Sequence, residues 1–134
     1  METILLIEDN AAILENLTEF LEMEGYKTLA ANNGEKGIEL ARKFKPDLII
    51  CDVLMPHMNG HEVLCLLLET AKTSEIPFIF STSMSEQIDR EETLKLGADD
   101  YITKPYDPET LLKMAKTLIK AGSKRSNCTS KTID

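Results

Sequence analysis

Short apolar runs along the chain alternate with longer segments in which apolar residues recur every three or four positions. The short runs predict five strands, and the longer segments predict amphipathic helices between them. The stripe of the first helix consists of Ile13, Leu14, Leu17, Phe20 and Leu21. The predicted strands cover residues 3–8, 26–30, 47–52, 77–82 and 100–103, and the predicted helices cover residues 13–21, 38–44, 60–72, 86–96 and 108–119.

Glycine, proline and capping residues mark the ends of these helices. Gly25 and Gly97 follow the first and fourth helical segments. Pro46 ends the second, because the residue before a proline avoids helical geometry. The Asn-Asn-Gly sequence at residues 32–34 predicts a turn. Asp107, which precedes a proline, has the pattern of an N-cap residue at the start of the last helix.

Five strand–helix units predict a single α/β domain. Strands joined by helical crossovers form a parallel sheet with helices on both faces, which is a doubly wound architecture. The strand over residues 47–52 is apolar on both faces and therefore fits the centre of the sheet. We assign the domain to residues 1–121. Residues 122–134 lack an apolar stripe, so they are expected to form a flexible tail or a truncated linker.

Charge, hydropathy and cysteine content indicate which binding partners and which cellular location to expect. The chain has 23 acidic and 15 basic residues, a formal net charge of −8. Direct nucleic-acid binding by this domain is not expected, because it needs a basic face. No apolar run approaches the roughly 20 residues of a membrane span, so no membrane partner is expected. Cys51, Cys65 and Cys128 are odd in number and lack C-x-x-C spacing, which favours reduced thiols and a cytoplasmic location.

Polar residues follow the predicted strands on the side where ligands bind in open parallel sheets, beyond the carboxyl ends. Glu8 and Asp9 end the first strand, and Asp52 ends the third. Thr82 ends the fourth strand and Lys104 follows the fifth. Three converging carboxylates repel each other and need a cation. Oxygen ligands with open positions suit Mg²⁺, which keeps several waters and also binds phosphoryl groups.

Four motifs stand at these strand ends: LLIED at residues 5–9, DVLMP at residues 52–56 with Gly60 after it, Pro77 five residues before Thr82, and GADDYITKPY at residues 97–106. With these motifs the chain, over residues 2–121, resembles a response-regulator receiver domain of two-component signalling, similar to the chemotaxis regulators. The resemblance implies a flavodoxin-like fold with strand order 2-1-3-4-5.

The resemblance also implies a set of metal ligands. Asp9 would bind Mg²⁺ directly, and Glu8 would act mainly through metal-bound water. Asp52 would contribute a carboxylate oxygen, and the backbone carbonyl of Leu54 would complete the protein ligands. These four residues lie in the LLIED and DVLMP motifs.

A phosphorylation switch is the function that the resemblance implies. Asp52 would accept a phosphoryl group from a phosphohistidine on a sensor histidine kinase or a histidine phosphotransfer protein. Thr82 and Lys104 would contact phosphoryl oxygens, the peptide bond after Lys104 would be cis, and Tyr101 would be the aromatic switch residue. The face formed by the helix of residues 86–96, the last strand and the last helix would bind a downstream protein or a fused output domain. Such a protein phosphorylates and dephosphorylates itself and is not a turnover enzyme.

Three other functions fit the fold less well. Phosphatases that form an aspartyl-phosphate carry a second Asp two residues after the nucleophile, where this chain has Leu54. Flavin carriers hold phosphate in a Ser/Thr/Gly-rich loop after the first strand, where this chain has an acidic pair. A degenerate receiver that binds partners without phosphate would lack an acidic residue or the lysine. His57 and His61 flank the loop after Asp52 and are expected to face solvent, since no ligand partner lies at metal-binding spacing.

Overall fold

The computed structural model describes residues 1–83 and 95–122, which form an α/β domain. The strands of this part are β1 (Thr3–Ile7), β2 (Lys27–Ala31), β3 (Leu48–Asp52), β4 (Phe78–Ser83) and β5 (Asp100–Lys104). Its helices are α1 (Ala11–Met23), α2 (Gly34–Phe44), α3 (Gly60–Leu68), the short α4 (Ala71–Ser74) and α5 (Pro108–Ala121). None of the described helices is long and apolar enough to cross a membrane.

All five strands pair in parallel in the order β2-β1-β3-β4-β5, which confirms the doubly wound, flavodoxin-like fold. β3 is central and every one of its residues is buried, as its apolar sequence predicts. Chain order reverses between β1 and β3, because β2 lies outside β1 while β4 and β5 extend beyond β3. Parallel sheets of this kind bind ligands at such a reversal point.

Successive side chains of each strand alternate between two apolar cores, one on each face of the sheet. One core packs Leu5, Ile49 and Phe80 against α2 and α3. The other packs Ile50 and Ile79 against α1 and α5. The alternation also fixes where the polar residues at the strand ends point, since Asp52 continues the face of Ile50 and not that of Cys51. Cys51 is fully buried in the first core, as its alternation predicts.

Side-chain caps explain where the helices begin. Asn10, Asn33 and Asn59 each accept a hydrogen bond from the backbone of the first turn of α1, α2 and α3. Asn59 and Glu62 form a reciprocal capping box. Asp107 caps α5 as predicted, accepting a hydrogen bond from the N–H of Glu109. These caps satisfy backbone donors that have no partner within the helix.

Two local predictions were wrong. The second helix begins at Gly34 and not at residue 38, because Asn33 is its N-cap; the chain still bends at residues 32 and 33, as the Asn-Asn-Gly sequence predicts. The third helix does not run unbroken to residue 72. It ends at Leu68, and Thr70 begins the short α4. Residues 86–94 of the helix predicted for residues 86–96 lie outside the described residues. The tail predicted for residues 122–134 also lies outside them, apart from residue 122.

The start of α3 packs directly against the end of β3, and this contact requires glycine at position 60. The N–H of Gly60 donates to the carbonyl of Val53 at 2.8 Å. A Cβ at Gly60 would lie 2.5 Å from the Asp52 carbonyl oxygen and 3.0 Å from the Val53 Cα. Both are backbone atoms that cannot turn away.

Gly60→Ala is therefore expected to lower the free energy of unfolding by about 1–3 kcal/mol, through overpacking. Urea denaturation measures the change. Gly25→Ala is the control: its Cβ meets nothing within 4 Å, so only the left-handed backbone, at φ 97°, opposes the substitution. A smaller loss at Gly60 than at Gly25 would contradict the close packing of α3 on β3.

Candidate phosphoacceptor site

Three carboxylates meet at the carboxyl ends of β1 and β3. Glu8 and Asp9 follow β1 directly, and Asp52 is the last residue of β3, which pairs with β1. One carboxylate oxygen from each residue lies within 4.8 Å of the others. Glu8 and Asp52 are buried, whereas Asp9 is exposed. The convergence expected from the sequence is present in the structure.

Lys104 joins these carboxylates from the end of β5. Its Nζ lies 2.6 Å from Glu8 Oε1 and 3.4 Å from Asp52 Oδ1. The peptide bond between Lys104 and Pro105 is cis, as expected. The lysine side chain is one-fifth exposed, so its ammonium group neutralises carboxylates that are largely removed from water.

The site has an uneven charge distribution. Burial raises the pKa of Glu8, but the hydrogen bond and charge of Lys104 outweigh burial and hold that pKa below its ordinary value. Burial and then the negative charge of Glu8 raise the pKa of Asp52 to about 7, which Lys104 only partly opposes. Burial lowers the pKa of Lys104, yet its contacts with Glu8 and Asp52 raise it overall. One lysine therefore compensates Glu8 more fully than Asp52.

Of the other expected site residues, Thr82 and Leu54 lie near the carboxyl ends of their strands, whereas Tyr101 lies near the start of β5. Thr82 is buried in β4, one residue beyond Ser81, which is the register partner of Asp52. Tyr101 is half-buried in β5, opposite Phe80, and packs against the core on the α2 and α3 face. Leu54 lies two residues after the end of β3, and the residue is 61% exposed. The roles expected for these three residues remain predictions.

One of the two histidine predictions was wrong. His57 is exposed, as expected, and its backbone is left-handed with φ 69°. His61 is half-buried and packs edge-to-face on Phe80, with ring centroids 5.0 Å apart. Its Nε2 is buried, and none of the described residues forms a hydrogen bond with it. The close approach of Gly60 to β3 carries His61 against Phe80, and the sequence alone does not reveal this contact.

Sequence analysis also missed two polar groups on the buried side of Asp52. Ser81 is buried beside it in β4, and Tyr106 follows Lys104 by two residues. Both line a small cavity together with Glu8 and Asp52. The period-two alternation of β4 could have indicated Ser81, because Ser81 and Asp52 occupy paired positions and point to the same face.

Comparisons with known proteins agree with this geometry. The family model "Response regulator receiver domain" matches residues 4–116. Protein PilH of Pseudomonas aeruginosa is 40% identical over 119 residues, which are 89% of this chain and 98% of PilH. A receiver domain of a signal transduction histidine kinase from Syntrophus aciditrophicus superposes with a TM-score of 0.82 at 36% identity, covering 90% of this chain and 92% of the other. The chain therefore belongs to the response regulator receiver domain family.

A further solved structure bears on the metal. The receiver domain of the sensor histidine kinase PA1611 from Pseudomonas aeruginosa has a TM-score of 0.81 at 26% identity and contains a magnesium ion coordinated in its active site cleft. The aligned regions cover 89% of this chain and 98% of that domain. Other relatives are transcriptional regulators, and this chain spans about half of their length.

The donor atoms of this chain fit the same kind of ion. Glu8, Asp9 and Asp52 offer only oxygen ligands, and their closeness fits binding to one small cation. Burial, and then the charge of Glu8, raise the pKa of Asp52 despite Lys104, so a bound cation would favour its ionised form. Receiver domains bind Mg²⁺ at such an acidic site, and the acidic cluster of this chain has the composition to do so.

Proposed function

We propose that this protein is a phosphorylation-activated signalling switch in which Asp52 is the phosphoacceptor. The observation that carries the proposal is the position of the Asp52 carboxylate, which lies beside two other carboxylates and 3.4 Å from the Lys104 ammonium. Membership of the receiver family supports the same role. The phosphodonor in this proposal is a phosphohistidine on a sensor histidine kinase or a histidine phosphotransfer protein.

The transfer is a displacement at phosphorus. An Asp52 carboxylate oxygen forms the new P–O bond as the P–N bond to the donor histidine breaks. The electron pair of the P–N bond stays on the imidazole, which takes up a proton from solvent. Hydrolysis of the resulting acyl phosphate returns Asp52 to its carboxylate and releases inorganic phosphate. This cycle resets a switch, so we do not assign the protein a turnover activity on a separate substrate.

Alignment and charge compensation are what the surrounding residues contribute to such a reaction. Lys104 already lies between Glu8 and Asp52, so it reaches a phosphoryl oxygen on Asp52 by exchanging its contact with Glu8. Thr82 lies on the neighbouring strand at the same edge, and in this proposal its hydroxyl donates to a second phosphoryl oxygen. Both residues approach from strands that are fixed by the sheet.

Mg²⁺ belongs to the same proposal. Asp9, Asp52 and the backbone carbonyl of Leu54 would bind it directly, and Glu8 would hold it mainly through water. When bound, the ion adds positive charge for the phosphoryl oxygens. Asp9 fits the direct role, because it is exposed, whereas Glu8 is occupied by Lys104 at 2.6 Å.

Replacing the two acidic residues after β1 should therefore have unequal effects. Asp9→Ala should weaken Mg²⁺ binding roughly tenfold or more, and Glu8→Ala should weaken it less. Mg²⁺ titration followed by NMR or calorimetry measures both, with Glu75→Ala, an exposed acid near the opposite end of β4, as the control. Equal losses for Asp9 and Glu8 would contradict this ordering.

The switch in this proposal connects Thr82 to Tyr101. Phosphorylation of Asp52 draws Thr82 toward the phosphoryl group, and the space that Thr82 leaves admits the half-buried ring of Tyr101. This is a shift between existing conformations and not a new fold. The output face consists of the helix predicted for residues 86–96, which lies mostly outside the described residues, together with β5 and α5.

Beryllofluoride with Mg²⁺, which imitates the phosphoryl group, should change the NMR signals of Thr82 and Tyr101. The change should reach the signals of β5, because Tyr101 lies in it. Asp52→Asn is the control and should show none of these changes. Spectra of the wild-type protein in which Asp52 responds but Tyr101 does not would show that the two residues are uncoupled.

The domain boundary and the partners complete the proposal. Residues 1–121 are the switch, and residues 122–134 are a tail or a linker. The output is a downstream protein or a fused domain, as in the longer transcriptional regulators among the relatives. A cytoplasmic location is consistent with the free thiols of Cys51 and Cys65.

Incubation with acetyl phosphate and Mg²⁺, followed by intact-mass measurement, tests the proposal. We expect each chain to gain one phosphoryl group, which is lost again after the donor is removed. A phosphatase would instead release phosphate in large excess over protein, and a flavin carrier or a phosphate-independent binding module would show no gain of mass.

A further inference from the structure

A small cavity lies on the buried side of Asp52, on the face of the sheet that α1 and α5 cover. It leaves about 10 Å³ for the centre of a water molecule, which is about the space that one water needs. Its apolar lining includes Leu17 of α1 and Ile50 of β3. Its polar lining consists of Glu8, Asp52, Ser81 and Tyr106.

The hydroxyl of Ser81 is the unusual member of this lining. Ser81 is 3% exposed, and its Oγ is fully buried without a hydrogen-bond partner among residues 1–83 and 95–122. It belongs to the same face of the sheet as Asp52, its register partner. A buried hydroxyl without a partner is costly, so structures normally supply one from protein or from water.

The polar groups around the cavity match the hydrogen-bonding capacity of one water. The carboxylates of Glu8 and Asp52 accept hydrogen bonds, and the hydroxyls of Ser81 and Tyr106 can donate them. Burial raises the pKa of Tyr106, so its phenol stays protonated and able to donate; the nearby Ser81 hydroxyl lowers that pKa only in part. The Ser81 hydroxyl is close enough to the Tyr106 phenol for this effect, yet Ser81 Oγ has no hydrogen bond of good geometry within the described part of the chain. A water needs two to four such partners to stay in a buried site.

We propose that this cavity binds one ordered water molecule that links the Ser81 hydroxyl and the Tyr106 phenol to the carboxylate of Asp52. The water holds the carboxylate from its buried side while the other side faces the phosphodonor. Ser81 is then a positioning residue for phosphoryl transfer, acting through the water. This last step rests on the proposed function, whereas the water site itself does not.

Direct detection is the first test. A high-resolution crystal structure of the full chain should show one water within hydrogen-bond distance of Ser81 Oγ and of an Asp52 carboxylate oxygen. In solution, the backbone amide of Ser81 or Asp52 should show a nuclear Overhauser effect to a long-lived water. A cavity without electron density for water would overturn the proposal.

The stability of the Ser81→Ala variant gives a second test. Whether the substitution destabilises or stabilises the folded protein shows whether the cavity holds water. If water bridges Ser81, the substitution removes a buried hydrogen bond and should raise the ratio of unfolded to folded protein about fivefold. If the cavity is dry, the same substitution removes an unpaired hydroxyl and should lower that ratio. Ser74→Ala, in the short α4, is the control for losing a serine hydroxyl. A stabilised Ser81→Ala variant would overturn the proposal.

The positioning role needs a kinetic readout. With acetyl phosphate at saturating Mg²⁺, Ser81→Ala should lower the maximal phosphorylation rate about three- to fivefold, the effect of one lost hydrogen bond. The half-saturating acetyl phosphate concentration should not change. An unchanged maximal rate would overturn the positioning role. A wild-type protein that binds the water but takes up no phosphoryl group would instead contradict the proposed function alone.

Discussion

Asp52→Asn should abolish phosphoryl uptake from acetyl phosphate. The amide of asparagine is not a competent nucleophile toward phosphorus, whereas the carboxylate it replaces supplies the attacking oxygen. Asparagine has nearly the same shape, so the contacts at the end of β3 survive. The substitution also removes a negative charge beside Glu8, which the structure indicates is poorly compensated. The variant should therefore fold at least as well as the wild type while losing the reaction.

Intact-mass measurement after incubation with acetyl phosphate and Mg²⁺ follows this loss. Asp107→Asn is the matched control, because it makes the same chemical change at an exposed position and asparagine caps a helix as well as aspartate does. The control should gain one phosphoryl group at the wild-type rate. A wild-type gain of mass in Asp52→Asn would show that another residue is the acceptor.

The sequence predicted the architecture because its local signals agree with one another. β3 is apolar on both faces and lies at the centre of the sheet, and the stripe of α1 packs against the sheet through Leu17 and Leu21. Capping signals did equally well at α5, where Asp107 precedes a proline. A fold can be predicted from sequence when hydrophobic periodicity, helix caps and helix-ending residues all indicate the same elements.

Local signals failed where two of them overlapped. The Asn-Asn-Gly sequence bends the chain as predicted, but it also starts a helix, because the Asn33 side chain caps α2. The break after Leu68 was missed because residues 69–72 contain neither glycine nor proline, while the hydroxyl of Thr73 donates to the Leu67 carbonyl. Such choices depend on side-chain hydrogen bonds that periodicity does not record.

The candidate site was predictable as a set of residues but not as an arrangement. That Glu8, Asp9, Asp52 and Lys104 share one edge follows from the parallel sheet and its strand ends. That Lys104 lies closer to Glu8 than to Asp52 follows only from side-chain positions. The burial of His61 against Phe80 and the polar lining around Ser81 depend on packing between distant segments, which leaves no local pattern in the sequence.

Without Mg²⁺, the free energy of unfolding should fall as the pH rises from about 4 to about 8. The pKa of Asp52 is about 7 in the folded protein and about 3.9 in an unfolded chain. Between these values the folded state holds a proton that the unfolded state has released. Stability falls with rising pH wherever the folded state binds more protons. The decrease should be on the order of 4 kcal/mol, because the two pKa values differ by about three units and each unit corresponds to about 1.4 kcal/mol.

Asp52→Asn separates this effect from every other titration in the protein, because only the wild type has the carboxyl group. The two proteins should be about equally stable near pH 4, and the variant should become more stable by about 4 kcal/mol near pH 8. Urea denaturation across this range, in a chelating buffer, measures the difference. Saturating Mg²⁺ should reverse it at pH 8, since a bound ion stabilises the wild-type carboxylate. A difference that stays constant from pH 4 to pH 8 would mean that Asp52 is already ionised at the acidic end, with Lys104 compensating its charge as fully as that of Glu8.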